Sequence, residues 1–134
     1  MIHEFDLYIY PRKLWVTYDA TPEELNKEFP EGDTSERIFK DVSQFSLATT
    51  DTLRRKDKKG GILIRFADKE SIDDELNIIH ESIHAANFVF DYIGATHDIN
   101  NDEPYAYLVT YIAKCCGIAR DNDIKQNNNE QNNH

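Results

Sequence analysis

The chain has 134 residues, 40% of them hydrophobic, and a formal net charge of -10, which suits one domain with a single hydrophobic core. That charge excludes nucleic-acid phosphate as the main partner, because such attraction needs clustered Lys and Arg, and no stretch reaches the roughly 20 apolar residues of a membrane span. Met1 to Asp6 lack a basic segment followed by an apolar run, so the expectation is a soluble, cytoplasmic protein.

Ile2 to Tyr10 and Lys13 to Tyr18 are rich in Tyr, Ile, Val and Trp and are separated by Pro11, a pattern that predicts two early strands. Thr21-Pro22-Glu23-Glu24 combines a capping hydroxyl, a proline for the first helical position and two acids for the positive end of the dipole. A short helix to about Phe29 follows, stopped by Pro30 to Asp33. Ser35 to Phe45 fits a short amphipathic helix through Ile38, Val42 and Phe45. The Thr-rich alternation from Ser46 to Arg54 and the apolar run Ile62 to Phe66 predict a hairpin around the Lys-rich turn between them. The cationic run from Arg54 to Lys59 reads as a solvated hairpin tip rather than a ligand loop.

The next helix is bounded by Ser71 as cap and Gly94 as stop, with Asp73, Asp74 and Glu75 at its positive end. At about 100° per residue, Ile72, Leu76, Ile79, Ile83, Ala86, Phe90 and Ile93 share a broad apolar arc, widened by Ile78, Ala85 and Val89, so the helix is expected to be largely buried. The opposite stripe carries Asp73, Asn77, His80, Glu81, His84, Asn87 and Asp91. From Glu70 to Ala113 there are nine Asp or Glu and no Lys or Arg, a field that lowers the cost of holding a divalent cation. Asn100-Asn101-Asp102 marks a turn, and Glu103-Pro104 opens a second helix to about Cys116. On it Glu103, Ala106, Tyr107 and Thr110 share a face, and the short connection after Gly94 predicts antiparallel or steeply crossed packing on the preceding helix. Cys115 and Cys116, the only cysteines, form no disulfide framework and read as small buried apolar residues. Asn122 to His134 is Asn- and Gln-rich and is expected to be a disordered tail, leaving 1–121 as the domain.

His80-Glu81-Ser82-Ile83-His84 carries the chemistry. Residues four apart lie on one helix face, so His80 and His84 can direct ring nitrogens at a single ion, while Glu81 is turned aside toward an attacking water. A catalytic zinc takes three protein ligands. Glu103 is the leading candidate for the third and His97 the alternative.

HExxH, eighteen further residues and then Glu resembles the gluzincin branch of the zincin metallopeptidases, in particular their small single-domain bacterial and phage-type members. The resemblance covers Ser71 to about Tyr111. It implies a small α+β zincin-like domain, with an antiparallel or mixed sheet packed on a buried HExxH helix and a second helix carrying the third ligand. It implies His80, His84 and Glu103 as zinc ligands and Glu81 as general base in peptide hydrolysis, with a peptide or protein as substrate. Tyr105, Tyr107 and His97 are the candidates for stabilising the oxyanion, and Asp91 and Asp98 for orienting a ligating histidine. The metzincin pattern is not met, because Asn87 and Phe90 stand where glycine and a third histidine would be. By analogy of fold, a substrate strand would pair with Ile62 to Phe66, and the acidic surroundings would favour cationic or neutral peptides. The same constellation can also serve a catalytically inactive domain that keeps zinc as a clamp for binding or regulation.

Overall fold

The computed structural model describes residues 1–30 and 47–132, with side chains as far as residue 122. The helix expected over Ser35 to Phe45 lies outside the described residues. Strands β1 (His3–Asp6) and β2 (Lys13–Thr17) pair antiparallel, with Phe5 opposite Leu14. Helix α1 (Pro22–Glu28) begins at the expected capping box: the Thr21 hydroxyl accepts from the Glu24 amide, and the Glu24 carboxylate accepts from the Thr21 amide. Two orphan amides of the first turn are thereby satisfied.

Strands β3 (Ala48–Arg54) and β4 (Gly60–Phe66) form the predicted hairpin, with Thr50 opposite Ile64. β4 also pairs with β2 in parallel, Leu14 opposite Ile62, which makes the sheet mixed with strand order β1-β2-β4-β3. The ladder of β4 is therefore spent on both sides, and β3, not β4, is the outer strand of the described sheet beside the motif helix. This corrects the expected docking strand.

Alternation distributes the sheet side chains between two cores. Leu14, Val16, Ile62, Ile64 and Phe66 face the larger core with the helices that follow, whereas Trp15, Leu53 and Leu63 turn to the other face and pack with Leu25 and Phe29 around α1. Gly61 lets β4 pass closely under Trp15: a Cβ there would fall 2.3 Å from the Lys13 carbonyl oxygen and 2.6 Å from the Trp15 ring.

The hairpin tip is solvated, as expected, with Arg54 and Lys56 to Lys59 exposed, and charges within it are paired. The Arg55 guanidinium pairs with Asp57 and Glu4 and lies 5.5 Å over the Trp15 ring, while Lys56 reaches Glu28 at 3.1 Å. Charge near the tip thus ties β3 and β4 back to β1 and α1.

The expected motif helix is two helices, α2 (Lys69–Asp73) and α3 (Glu75–Ile93). Asp68, not Ser71, caps the first, and Asp74 leaves the helical region and caps the second by accepting from the Leu76 amide at 3.0 Å. Short polar side chains offer the backbone this alternative bond, which is why an Asp pair can break a continuous helical pattern. Gly94 ends α3 in the left-handed conformation, φ 73°, as glycine readily does.

Helix α4 (Glu103–Asn132) runs well past Cys116, and the segment expected to be a disordered tail continues it as helical backbone to Asn132. It lies antiparallel to α3: Tyr105 meets Ile83 and Asn87, while Arg120 and Asp121 flank Glu75 at the other end of a shared groove. Leu108, Ile112, Cys115, Cys116 and Ala119 are its buried stripe. No helix among the described residues is long and apolar enough to cross a membrane.

Candidate metal centre

On α3 the buried side is centred on Ile78, Glu81, Ser82, Ala85, Ala86, Val89 and Phe90. Leu76, Ile79, Ile83 and Ile93 are exposed, Leu76 to 74%, so the helix is half-buried rather than largely buried. The sheet and α4 take only one side of the broad apolar arc. That rotation brings Glu81 inward and leaves His80 and His84 at the surface.

The two imidazoles face each other, with Nε2 atoms 3.1 Å apart and ring centroids 4.7 Å apart. Two nitrogens at zinc-ligand distance on a tetrahedral ion stand about 3.3 Å apart, so the pair is spaced as two ligands of one ion would be. Without an ion, the same spacing suits one ring N–H donating to the other ring's nitrogen.

Glu81, 6% exposed, points at β3, where the Thr50 hydroxyl donates to its Oε2 in a short hydrogen bond. A buried carboxylate is costly without such a donor. Behind it Ser82 is fully buried and donates to the Ile78 carbonyl at 2.6 Å. The Cys116 thiol of α4 lies close by, pushed up to about 12 by burial and by the neighbouring Cys115. Both cysteines are buried and free, in keeping with their reading as apolar packing.

Glu103 is exposed at the first turn of α4. The face it shares with Ala106, Tyr107 and Thr110 is exposed at all four positions, and the buried stripe of α4 begins instead at Leu108. Among the described residues no group of three or more His, Cys, Asp or Glu stands close enough to hold a metal ion. The structure thus brings together His80 and His84, with Glu81 between them in sequence, and does not draw Glu103 into a three-residue group with them.

One turn beyond His84, Asn87 collects the other candidates. Its Oδ1 accepts from the Tyr105 hydroxyl at 2.8 Å and stands 2.7 Å from His97 Nε2. Tyr105 also donates to the Ile83 carbonyl at 3.3 Å and packs edge-on to His97 at 4.1 Å and to Phe90 at 5.4 Å. Burial raises the Tyr105 hydroxyl above its ordinary value, so it is a neutral donor at physiological pH. Tyr107, 70% exposed, takes no part in this network. Asp98 serves as a turn acceptor for the Asn100 amide at 2.9 Å.

Thr50 and Asn87 are the site residues that sequence reading did not single out. The Thr-rich alternation around Thr50 announced a strand, but nothing local said that this hydroxyl would meet Glu81. Asn87 stood on the polar stripe without a distinguishing mark. Comparison of the chain with protein-family models, with curated proteins and with solved structures finds no match.

Proposed function

We propose that this chain is a zinc-dependent peptide hydrolase of the gluzincin type, acting through His80, Glu81 and His84. The observation that supports the reading best is the His80–His84 pair at chelating distance beside a buried, hydrogen-bonded Glu81. His80 and His84 would hold zinc through Nε2, and Glu103, on the opening turn of α4, is the third ligand this reading requires. Zinc held there would supply a Lewis acid and would lower the pKa of water to about 7.

The chain's own residues carry the rest. Glu81, with Oε2 engaged by Thr50, is the base this reading requires: it would take a proton from the attacking water and hand it to the leaving amine. The Thr50 bond fixes the rotamer of this base, which limits the reorganisation needed during reaction. Tyr105 and His97, tethered through Asn87, lie within a turn of His84, and either would have to turn from Asn87 to steady a developing oxyanion. A peptide pairing beside α3 would meet β3, because β4 is enclosed on both sides.

The test joins metal and mutation. Purified protein is expected to bind about one zinc per chain, to hydrolyse members of a peptide library, and to stop on chelation. Glu81→Gln should retain the zinc and lose hydrolysis, whereas His80→Ala should lose both. Full activity in Glu81→Gln would overturn the mechanism. Zinc retention with no hydrolysis by the unaltered chain would favour the binding or regulatory role, for which the burial of Glu81 is the supporting observation.

A further inference from the structure

Arg12 and Arg54 come from separate hairpins, yet they line one cavity of about 320 Å3 together with Phe88, Asp91 and Tyr92 of α3. The placement of Arg12 is built in. Its guanidinium lies 4.2 Å over the Tyr92 ring, and on the Gly60 side a Cβ would fall on its Nη1. Its Nε is buried without a hydrogen-bond partner, although a guanidinium normally spends all its donors. Neither guanidinium lies within ion-pair distance of Asp91, the one acid of the lining. The two cations outnumber it.

This cavity also changes the electrostatics expected for α3. The segment 70–113 contains no cation of its own, but Arg12 and Arg54 supply two at its far end. On a chain of net charge -10, this cavity sets two guanidinium groups against one carboxylate in its lining. Planar forks of N–H donors suit a carboxylate. Asp91 and Tyr92 follow His84 by seven and eight residues, about 10–12 Å along the helix. An extended peptide covers that distance in three or four residues at about 3.3 Å each.

We propose that the Arg12–Arg54 cavity binds a carboxylate of a peptide whose backbone crosses the His80–His84 pair three or four residues away. The inference names the substrate class of the site proposed above and rests on that reading for its orientation. It replaces the expectation of a preference for cationic or neutral peptides at this end of the site. The carboxylate comes either from the peptide C-terminus or from an acidic side chain, and the two sources are separable.

The test is equilibrium binding of fluorescein-labelled pentapeptides, read by anisotropy in the Glu81→Gln background so that nothing is cleaved. Three peptides share an alanine body: one ends in a free carboxylate, one in Glu-amide and one in Gln-amide. At least one acidic peptide should bind about tenfold or more tightly than the Gln-amide, as expected for a charged hydrogen bond, and whichever does so identifies the source. Arg54→Gln alters an exposed side chain and should bring the ratio close to one, as should Arg12→Gln. Equal binding of all three peptides, or a ratio that survives Arg54→Gln together with Arg12→Gln, overturns the proposal. Failure of the zinc reading shows up differently, as absence of bound zinc with the acidic preference intact.

Discussion

Replacing Thr50 by Val removes one hydroxyl at nearly constant volume and leaves the Glu81 carboxylate without its donor. Glu81 is 6% exposed, so water can replace the lost bond only in part. A hydrogen bond to a charged group contributes roughly 1.5–3 kcal/mol, and leaving a buried acceptor unpaired costs a similar amount. The expected loss of stability is therefore about 2 kcal/mol, equivalent to a fall of roughly 6–10 °C in Tm for a domain of this size. Urea unfolding followed by circular dichroism in chelator isolates this effect from metal binding. Glu81→Gln keeps an acceptor oxygen but no charge, and the cycle of Thr50→Val, Glu81→Gln and the double variant should show a coupling of about 1–2 kcal/mol. A coupling below about 0.3 kcal/mol, within ordinary additivity, would refute the claim that this hydroxyl holds the carboxylate. On the proposed hydrolase reading, Thr50→Val should slow hydrolysis while zinc content stays unchanged, because Glu81 would lose its fixed rotamer and His80 and His84 would not.

Gly61→Ala should destabilise the fold by about 1–3 kcal/mol, the usual range for overpacking, because the added Cβ meets the Lys13 carbonyl oxygen as well as the Trp15 ring; a chemical denaturation midpoint equal to that of the unaltered chain would contradict the close passage of β4 beneath Trp15. Cys116, buried and raised to about 12, and Cys115, also raised by burial, should resist an aromatic disulfide reagent at pH 8 in the folded protein and react fully in urea. Rapid labelling of either without denaturant would show that α4 is not seated on α3 as described. The hydrogen bond from Arg55 holds the Asp57 carboxyl at about 2, below the ordinary value of about 3.9. Because the folded value is the lower one, this contribution to the hairpin tip is complete above about pH 4 and is lost as pH falls through about 2. Asp57→Asn should remove that part of the acid dependence, seen by titrating the Arg55 Nε–H resonance. The same titration in both proteins would disprove the pairing.

Much of the local architecture was legible in the residues. The capping box at Thr21 and Glu24, the hairpin around the Lys-rich turn, the stop at Gly94 and the common face of His80 and His84 all follow from interactions within a few positions of one another. Caps, turn residues and the i, i+4 relation act at that range whatever the rest of the chain does. Even locally there was a limit: Asp73-Asp74 suited both the first turn of one helix and the break between two. The break gained a second tie, because Asn77 Nδ2 donates to the Ser71 carbonyl at 3.0 Å across it.

What only the tertiary structure decided concerns partners distant in sequence. Thr50 meets Glu81 across 31 positions because β4 inserts between β2 and β3 and places β3 beside α3. The parallel pairing of β2 with β4 that creates this order has no signature in either strand alone, since both runs are apolar enough to serve at a centre or an edge. The rotation of α3 was equally hidden. Its apolar arc was broader than one face of the sheet and α4 could cover, and packing chose the side with Ala85, Ala86 and Val89, whose small or compact side chains allow close approach. That choice turned Glu81 inward, left both histidines outward and set Tyr92 beneath Arg12. Short-range chemistry thus determined which residues could act as a pair, whereas the competition among apolar surfaces for one core decided what stands beside that pair.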